Sequence, residues 1–488
     1  MSKKAIVIGS GIAGIASAIR LINKGYEVEV FEKNAYLGGK LTEITLGSYR
    51  FDAGPSLFTL PHLVEELFTL SNKKTEDYFD YQRCEITCDY FYEDGISLSL
   101  YADRNKLLNE ISSKLHIDTT PLQKHLERSK LIYNATYEAF LERSLHKVSS
   151  YFTNAIFRCI THIPWLNLFT TMHDANVSRL NHPKLVQLFD RYATYNGSNP
   201  YQAPGILNII PHLELEIGSF FPTKGMHSIT TSLVKLATEL GVKFHTNAAV
   251  DEILSDQGKI TGIRIQDKHY QSDVVVCNSD IKPAYRYLLP HSKKPTKILK
   301  QEPSSSALIF YWGIQHEFKQ LDLHNIFFSE DYKHEFESIF QHNAISSDPT
   351  VYVNISSKKL PSDAPKGCEN WFVMVNVPAN NGQDWNKIRT EVRANVISKL
   401  SRLLGEDLAS LIIEEDYLDP IRIEERTSSF AGALYGASSN DRNAAFFRHP
   451  NFSSIKGLHF VGGSVHPGGG IPLCLQSAKI AVEMVKKK

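Results

Sequence analysis

The chain has 488 residues, 42% of them hydrophobic and 11% aromatic, which supports a large buried core and excludes a disordered or fibrous protein. Lys+Arg and Asp+Glu balance at 53 each, so no net field draws nucleic acid or an acidic partner. The six scattered cysteines (Cys84, Cys88, Cys159, Cys277, Cys368, Cys474) lack metal-ligand spacing and read as reduced thiols. No uncharged apolar stretch reaches the roughly eighteen residues of a membrane-spanning helix.

Ala5 to Ile8 is a short apolar run that breaks at Gly9, Gly11 and Gly14, spaced G-x-G-x-x-G. Ile15, Ala18, Ile19 and Ile22 then recur at helical intervals up to Gly25. Lys3 and Lys4 before an apolar run look superficially like a signal peptide, but the glycine spacing and Arg20 argue against one. Glu27 to Phe31 alternates as a strand does and stops at Glu32, where an acid can accept both hydroxyls of an adenosine ribose. This is a dinucleotide-binding βα turn, with Gly9, Gly11, Ile12, Ala13 and Gly14 facing or shaping the pyrophosphate site and Glu32 and Lys33 at the ribose.

Leu37-Gly38-Gly39-Lys40 and Asp52-Ala53-Gly54-Pro55-Ser56 follow at once. A plain turn would use the same glycines, but paired glycines here let the backbone run along a longer cofactor than NAD, which points to FAD. The G-x-G-x-x-G, Gly-Gly and D-x-G-P stretches together resemble the flavin-dependent carotenoid desaturases of the phytoene desaturase type. For this sequence the resemblance implies FAD contacts at Gly38, Gly39, Lys40, Gly54, Pro55 and Ser56.

Leu107, Leu108, Ile111 and Leu115 keep helical spacing, and residues 151–172 are rich in Phe, Ile, Leu and Trp, broken by Arg158 and Pro164. That segment reads either as a buried helical hairpin or as an element lying in a bilayer interface. The resemblance, whose family is membrane-associated with a lipid-soluble substrate, implies peripheral attachment at the inner membrane of a cytoplasmic protein. Residues 188–204 carry Asp190 and Arg191, an expected structural ion pair, and Tyr192, Tyr195 and Tyr201, whose faces suit a polyene or plain core packing. This run, R-Y-A-T-Y-x-G-S-x-P-Y-x-A-P, resembles the 1-hydroxycarotenoid 3,4-desaturases within the family.

An apolar stripe of Ile229, Leu233, Leu236 and Leu240 predicts a helix closed by Gly241. Strands are expected from Val242, at Lys259 to Ile265 and over Tyr270 to Cys277, and the resemblance places the adenine against the backbone of Val250. Bulky strand-like runs at 308–312, 350–355 and 371–377 predict a mainly antiparallel sheet with one apolar face, covered by an amphipathic helix over 387–404. Leu458 to Val461 leads into Gly462-Gly463-Ser464-Val465-His466-Pro467-Gly468-Gly469-Gly470, and Ile471-Pro472 opens a helix whose first amides favour negative charge on a ring bound there. Gly463, Ser464, Gly470, Ile471 and Pro472 are therefore flavin candidates, and V-G-G-S-V-H-P-G-G-G-I-P-L-C again resembles the hydroxycarotenoid desaturases.

The expected fold is α/β, a Rossmann-like FAD-binding domain of the two-dinucleotide-binding-domain type with an interleaved α+β substrate domain. Its division runs 1–90 and 216–285 and 431–488 for FAD, 91–215 (helical) and 286–430 (mostly β) for substrate. The resemblance implies loss of a hydrogen pair, the 3,4 pair of a 1-hydroxylated acyclic carotenoid, by hydride transfer to flavin, with no strong base required because the cation left behind is spread over a polyene. Candidate proton acceptors are His466 and the Asp190 and Arg191 pair, with His466 as readily a turn-fixing residue. A flavin-dependent isomerase or saturase, an amine oxidase and a flavin-free prenyl-binding escort share the fold and remain open at this stage. Oligomeric state and electron acceptor have no sequence signature.

Overall fold

In the computed structural model, which describes residues 3–441 and 446–487, a five-stranded parallel sheet orders as Leu458–Phe460, Val274–Cys277, Lys4–Ile8, Glu27–Phe31 and Lys243–His245. Strands from the start, middle and end of the chain thus lie side by side, with the apolar runs of Lys4–Ile8 and Val274–Cys277 at the centre and the more polar Lys243–His245 at an edge. The helix Ile12–Ile22 has every residue but the last buried, and it packs between this sheet, the helix His227–Glu239 and the C-terminal helix Ile471–Glu483. Arg20 is carried inside by an ion pair with Glu66 at 3.2 Å. Lys268–Gln271 and Val274–Cys277, expected as one strand, belong to different sheets and part at Ser272 and Asp273.

The second large unit is a seven-stranded sheet: Ile412–Leu418, Ser306–Ile314, Glu369–Val377, Val351–Asn354, His324–Phe327, Ile86–Phe91 and Ser97–Tyr101. The division expected at 90/91 runs through Ile86–Phe91, whose partner His324–Phe327 lies far along the chain and left no local trace. The expected single apolar face is corrected to two. Leu308, Phe310, Trp312, Trp371, Val373 and Val375 pack beneath the helix Trp385–Leu404, while Ala307, Ile309, Tyr311 and Phe372 face the opposite way. Covered on both sides, these strands read as continuous apolar runs instead of alternating ones.

Residues 151–172 do not form a buried hairpin. The short helix Asn154–Thr161, capped by the Thr153 hydroxyl, turns Ala155, Ile156 and Cys159 inward and leaves Phe157 and Ile160 outside. Phe152 and Phe169 are 83% and 78% exposed. Among the described residues no helix is long and apolar enough to cross a membrane.

Candidate functional site

The parallel sheet delivers three loops to one place. The loop after Lys4–Ile8 and the loop around Gly38 are joined by a backbone bridge, Gly38 N–H donating to Ser10 O at 3.0 Å. Asn278, at the end of Val274–Cys277, links the first loop to the last: a Cβ on Gly11 or on Gly462 would lie 2.7 Å from its amide group. With its side-chain oxygen turned to the helix, Asn278 accepts from the Gly11 and Gly14 amides at 3.2 and 3.3 Å. A Cβ on Gly14 would stand 2.1 Å from Gly9 O, so only glycine lets this helix press against its strand.

These loops line one end of an elongated cavity of about 600 Å³. Gly9, Gly11, Ile12, Ala13, Glu32, Lys33, Gly38, Gly39, Lys40, Gly54, Pro55, Ser56, Val250, Gly463, Ser464, Gly470, Ile471 and Pro472 all reach its wall, and Gly14 stands behind it. Glu32 is oriented by Ser10, whose amide and hydroxyl both donate to Oε2 at 2.8 Å, and by the Asn34 amide at 2.9 Å to Oε1. Carboxylate lone pairs remain for ribose hydroxyls. Asn34 and Lys33 are tied in turn to the carbonyls of Arg426 and Glu425, a contact across the chain that the sequence reading missed.

The far loop is shaped by buried Arg448, whose guanidinium donates to the carbonyls of Tyr435, Ala437 and Gly463 at 2.7, 2.7 and 3.2 Å. Burial pushes it down to about 10. Burial also lowers Lys40, which donates to Leu434 O at 2.7 Å, with Asp280 opposing the shift. Gly470, at φ +100°, has open space where a side chain would be, just where the C-terminal helix begins. A glycine-walled slot with a fixed carboxylate at one end and a helix start at the other fits a dinucleotide flavin, held by backbone amides with Glu32 at the ribose.

Beyond this cradle the wall turns apolar. Strand register sets Leu418, Ile309, Met374, Tyr352, Ile326 and Tyr90 in one row across six strands. At about 4.8 Å per strand the row is on the order of 24 Å long. All but Tyr90 line the cavity, with Phe372, Ile423 and Leu434 beside them.

The predicted proton acceptors separate. Asp190 and Arg191 do not pair: Asp190 accepts from His173 Nδ1 at 2.6 Å and from Asn176 Nδ2 at 2.8 Å and is absent from the cavity wall. Arg191 lines the cavity, stacked on Tyr90, Tyr192 and Tyr195 at 5.1, 4.8 and 5.1 Å and paired with buried Glu214 at 3.5 Å. Burial opposes its charge, but Tyr195, Tyr90 and Glu214 outweigh that and keep it protonated. His466 stands off the cavity wall. Its Nε2 donates to Arg143 O at 2.7 Å, and burial pushes it down to about 4. Of the three tyrosines, Tyr195 reaches the wall, Tyr192 lies behind it, and Tyr201 packs on His173. Among the described residues no group of His, Cys, Asp and Glu is placed to hold a metal, and all six cysteines are unpaired.

Comparison with known proteins agrees with this arrangement. The sequence profile described as flavin containing amine oxidoreductase matches residues 12–486. A 1-hydroxycarotenoid 3,4-desaturase of a Flavobacterium species is 52% identical over 99% of each chain. A 4,4'-diaponeurosporene oxygenase of Staphylococcus haemolyticus is 32% identical over 99% of this chain and 97% of its own. In the solved structures, an oxidoreductase from Methanosarcina mazei matches with a TM-score of 0.66 at 16% identity, covering 99% and 100% of the two chains. Cyclohexylamine oxidase from Brevibacterium oxydans matches with a TM-score of 0.64 at 16% identity over 100% of both. These two likenesses concern the fold alone.

Proposed function

This chain belongs to the flavin containing amine oxidoreductase family, and from that premise we propose that it is an FAD-dependent desaturase removing the 3,4 hydrogen pair of a 1-hydroxylated acyclic carotenoid. The observation that carries the reading is the single cavity that runs from Glu32 into the apolar row across the seven-stranded sheet. FAD, when bound, supplies the hydride acceptor. The chain's own part is to bind and align: the row from Leu418 to Ile326 offers a straight, water-excluding floor for an extended polyene. Arg191 reaches the substrate part of the wall with its charge compensated by buried Glu214. It serves as a positioning residue, and no carboxylate or imidazole stands beside it on that wall to act as base.

We infer peripheral attachment at the inner membrane's cytoplasmic face, a reading supported by the exposed Phe152, Phe157, Ile160, Trp165 and Phe169. Residues 143–173 hold Arg143, Lys147 and Arg158 and no acid, which suits anionic lipid. Phe157→Ser with Phe169→Ser is expected to weaken flotation with anionic vesicles at least tenfold, since each buried Phe contributes about 1.5–3 kcal/mol; unchanged flotation refutes the patch. The reaction itself is tested by incubating the yellow holoprotein with hydroxylated and unhydroxylated acyclic carotenoids. A red-shifted product two hydrogens lighter supports a desaturase, equal mass an isomerase, and added oxygen an oxygenase.

A further inference from the structure

We propose that Ser56 reads the substrate's hydroxyl, and reads it as a hydrogen-bond acceptor, so that the tunnel selects an end group bearing an O–H. The proposal rests on the desaturase reading above and adds a specificity residue to it.

The polarity follows from a chain of four side chains. Asn354 Nδ2 donates to Leu323 O at 2.9 Å, which fixes the amide, and the same nitrogen approaches His324 Nδ1 at 3.2 Å. The Asn354 amide, committed as donor, makes Nδ1 the accepting nitrogen, so the imidazole proton sits on Nε2, which is buried with no partner among the described residues. Burial keeps this ring neutral, pushing it down to about 3. Tyr352 Oη lies 2.8 Å from the same Nδ1 and can only donate to it. Its one proton is then spent. Ser56 Oγ, 2.7 Å from Tyr352 Oη, must therefore donate to the tyrosine, and its own proton is spent too. What Ser56 shows the cavity is lone pairs alone.

Ser56 and Tyr352 both line the cavity, and Tyr352 stands in the row that floors the tunnel. Ser56 follows Gly54 and Pro55, where a Cβ on Gly54 would stand 1.8 Å from Lys40 O, so it lies where cradle and tunnel meet. That position suits the chemistry, because the hydroxyl of a 1-hydroxylated end is only two carbons from C-3. A recognising group must sit beside the reacting bond, not at the tunnel's far end. A hydrocarbon end would cover the Ser56 oxygen without giving it a donor, and a buried acceptor left unpaired is disfavoured by roughly tenfold or more.

The test uses flavin-loaded wild type, Ser56→Ala, Ser56→Thr and Tyr352→Phe with three substrates: a 1-hydroxylated acyclic carotenoid, its methyl ether and the parent hydrocarbon. Single-turnover rates and flavin content are both recorded. Wild type is expected to favour the alcohol over ether and hydrocarbon by about tenfold to a hundredfold. Ser56→Ala brings the ratios towards one, Ser56→Thr restores the preference, and Tyr352→Phe, which frees the serine hydroxyl, weakens it. An ether turned over as well as the alcohol, with the hydrocarbon rejected, overturns the assigned polarity. Unchanged ratios in Ser56→Ala, or loss of its flavin, overturn the role, the latter making Ser56 a cofactor contact. Equal wild-type rates on all three sink this inference and leave the desaturase standing, whereas no turnover of any removes both.

Discussion

Two buried glutamates mark the two halves of the cavity, and they are held by opposite means. Glu32, in the cradle, is fixed by a hydroxyl and the amides of Ser10 and Asn34, none of them charged. Glu214, behind the tunnel wall, is held by Arg191 and by the hydroxyls of Tyr192 and Tyr195. The cradle is thus a backbone device, made by leaving side chains out, while the tunnel is backed by side chains of two helical turns, Arg191–Asn196 and His212–Ile217, that neutralise one another. A backbone device tolerates a missing ligand contact; a charge pair sealed from water does not tolerate a missing partner.

The largest effect is therefore expected in the tunnel. Arg191→Met leaves Glu214 buried and without its cation, and is expected to destabilise the fold by about 3–5 kcal/mol in urea unfolding. Arg191→Met with Glu214→Gln recovers most of that loss. If the single variant is as stable as wild type, the pair is not sealed from water, and the contrast between the halves fails.

In the cradle the expected effect is smaller and falls on the ligand. Glu32→Gln keeps the shape but loses the charged acceptor at the ribose and at Ser10, worth about 1.5–3 kcal/mol. FAD is expected to bind roughly ten- to a hundredfold more weakly, read by flavin fluorescence on dilution, with the apoprotein losing less stability than in Arg191→Met. A drop in apoprotein stability as large as that of Arg191→Met would erase the distinction.

The same contrast explains what was legible in the chain. Gly9, Gly11, Gly14 and Glu32 act through spacing along one βα unit, so the sequence carries their geometry directly. Asn278 does the equivalent work of joining the first and last loops, but the sequence shows it as a strand end and a family-like Asn-Ser-Asp without its contacts, because its partners Gly11 and Gly462 lie far from it in sequence. Asp190 and Arg191 are neighbours that face different ways. The helix Pro183–Asp190 ends between them and a tighter turn begins, so one side chain meets His173 and the other Glu214. Ser56 shows itself as a loop residue, while its polarity depends on Tyr352 and His324, brought to it by sheet register.

The smallest effect concerns His466, which lies in the cradle's last loop yet bonds outward to the segment leading to the exposed aromatic patch. Its imidazole is held at about 4 in the fold by burial, against about 6.5 in an unfolded chain. A folded-state value that is depressed means the unfolded chain takes up the proton first. Stability is intact above pH 6.5 and is lost as pH falls towards 4. His466→Gln, which can still donate to Arg143 O, removes this titration, so at pH 5.5 it is expected to lose about 1 kcal/mol less than wild type relative to pH 7.5. Because the ring lies outside the cavity, turnover at pH 7.5 is expected to persist. Abolished turnover with flavin still bound would return His466 to the reacting centre and move the boundary between cradle and tunnel with it.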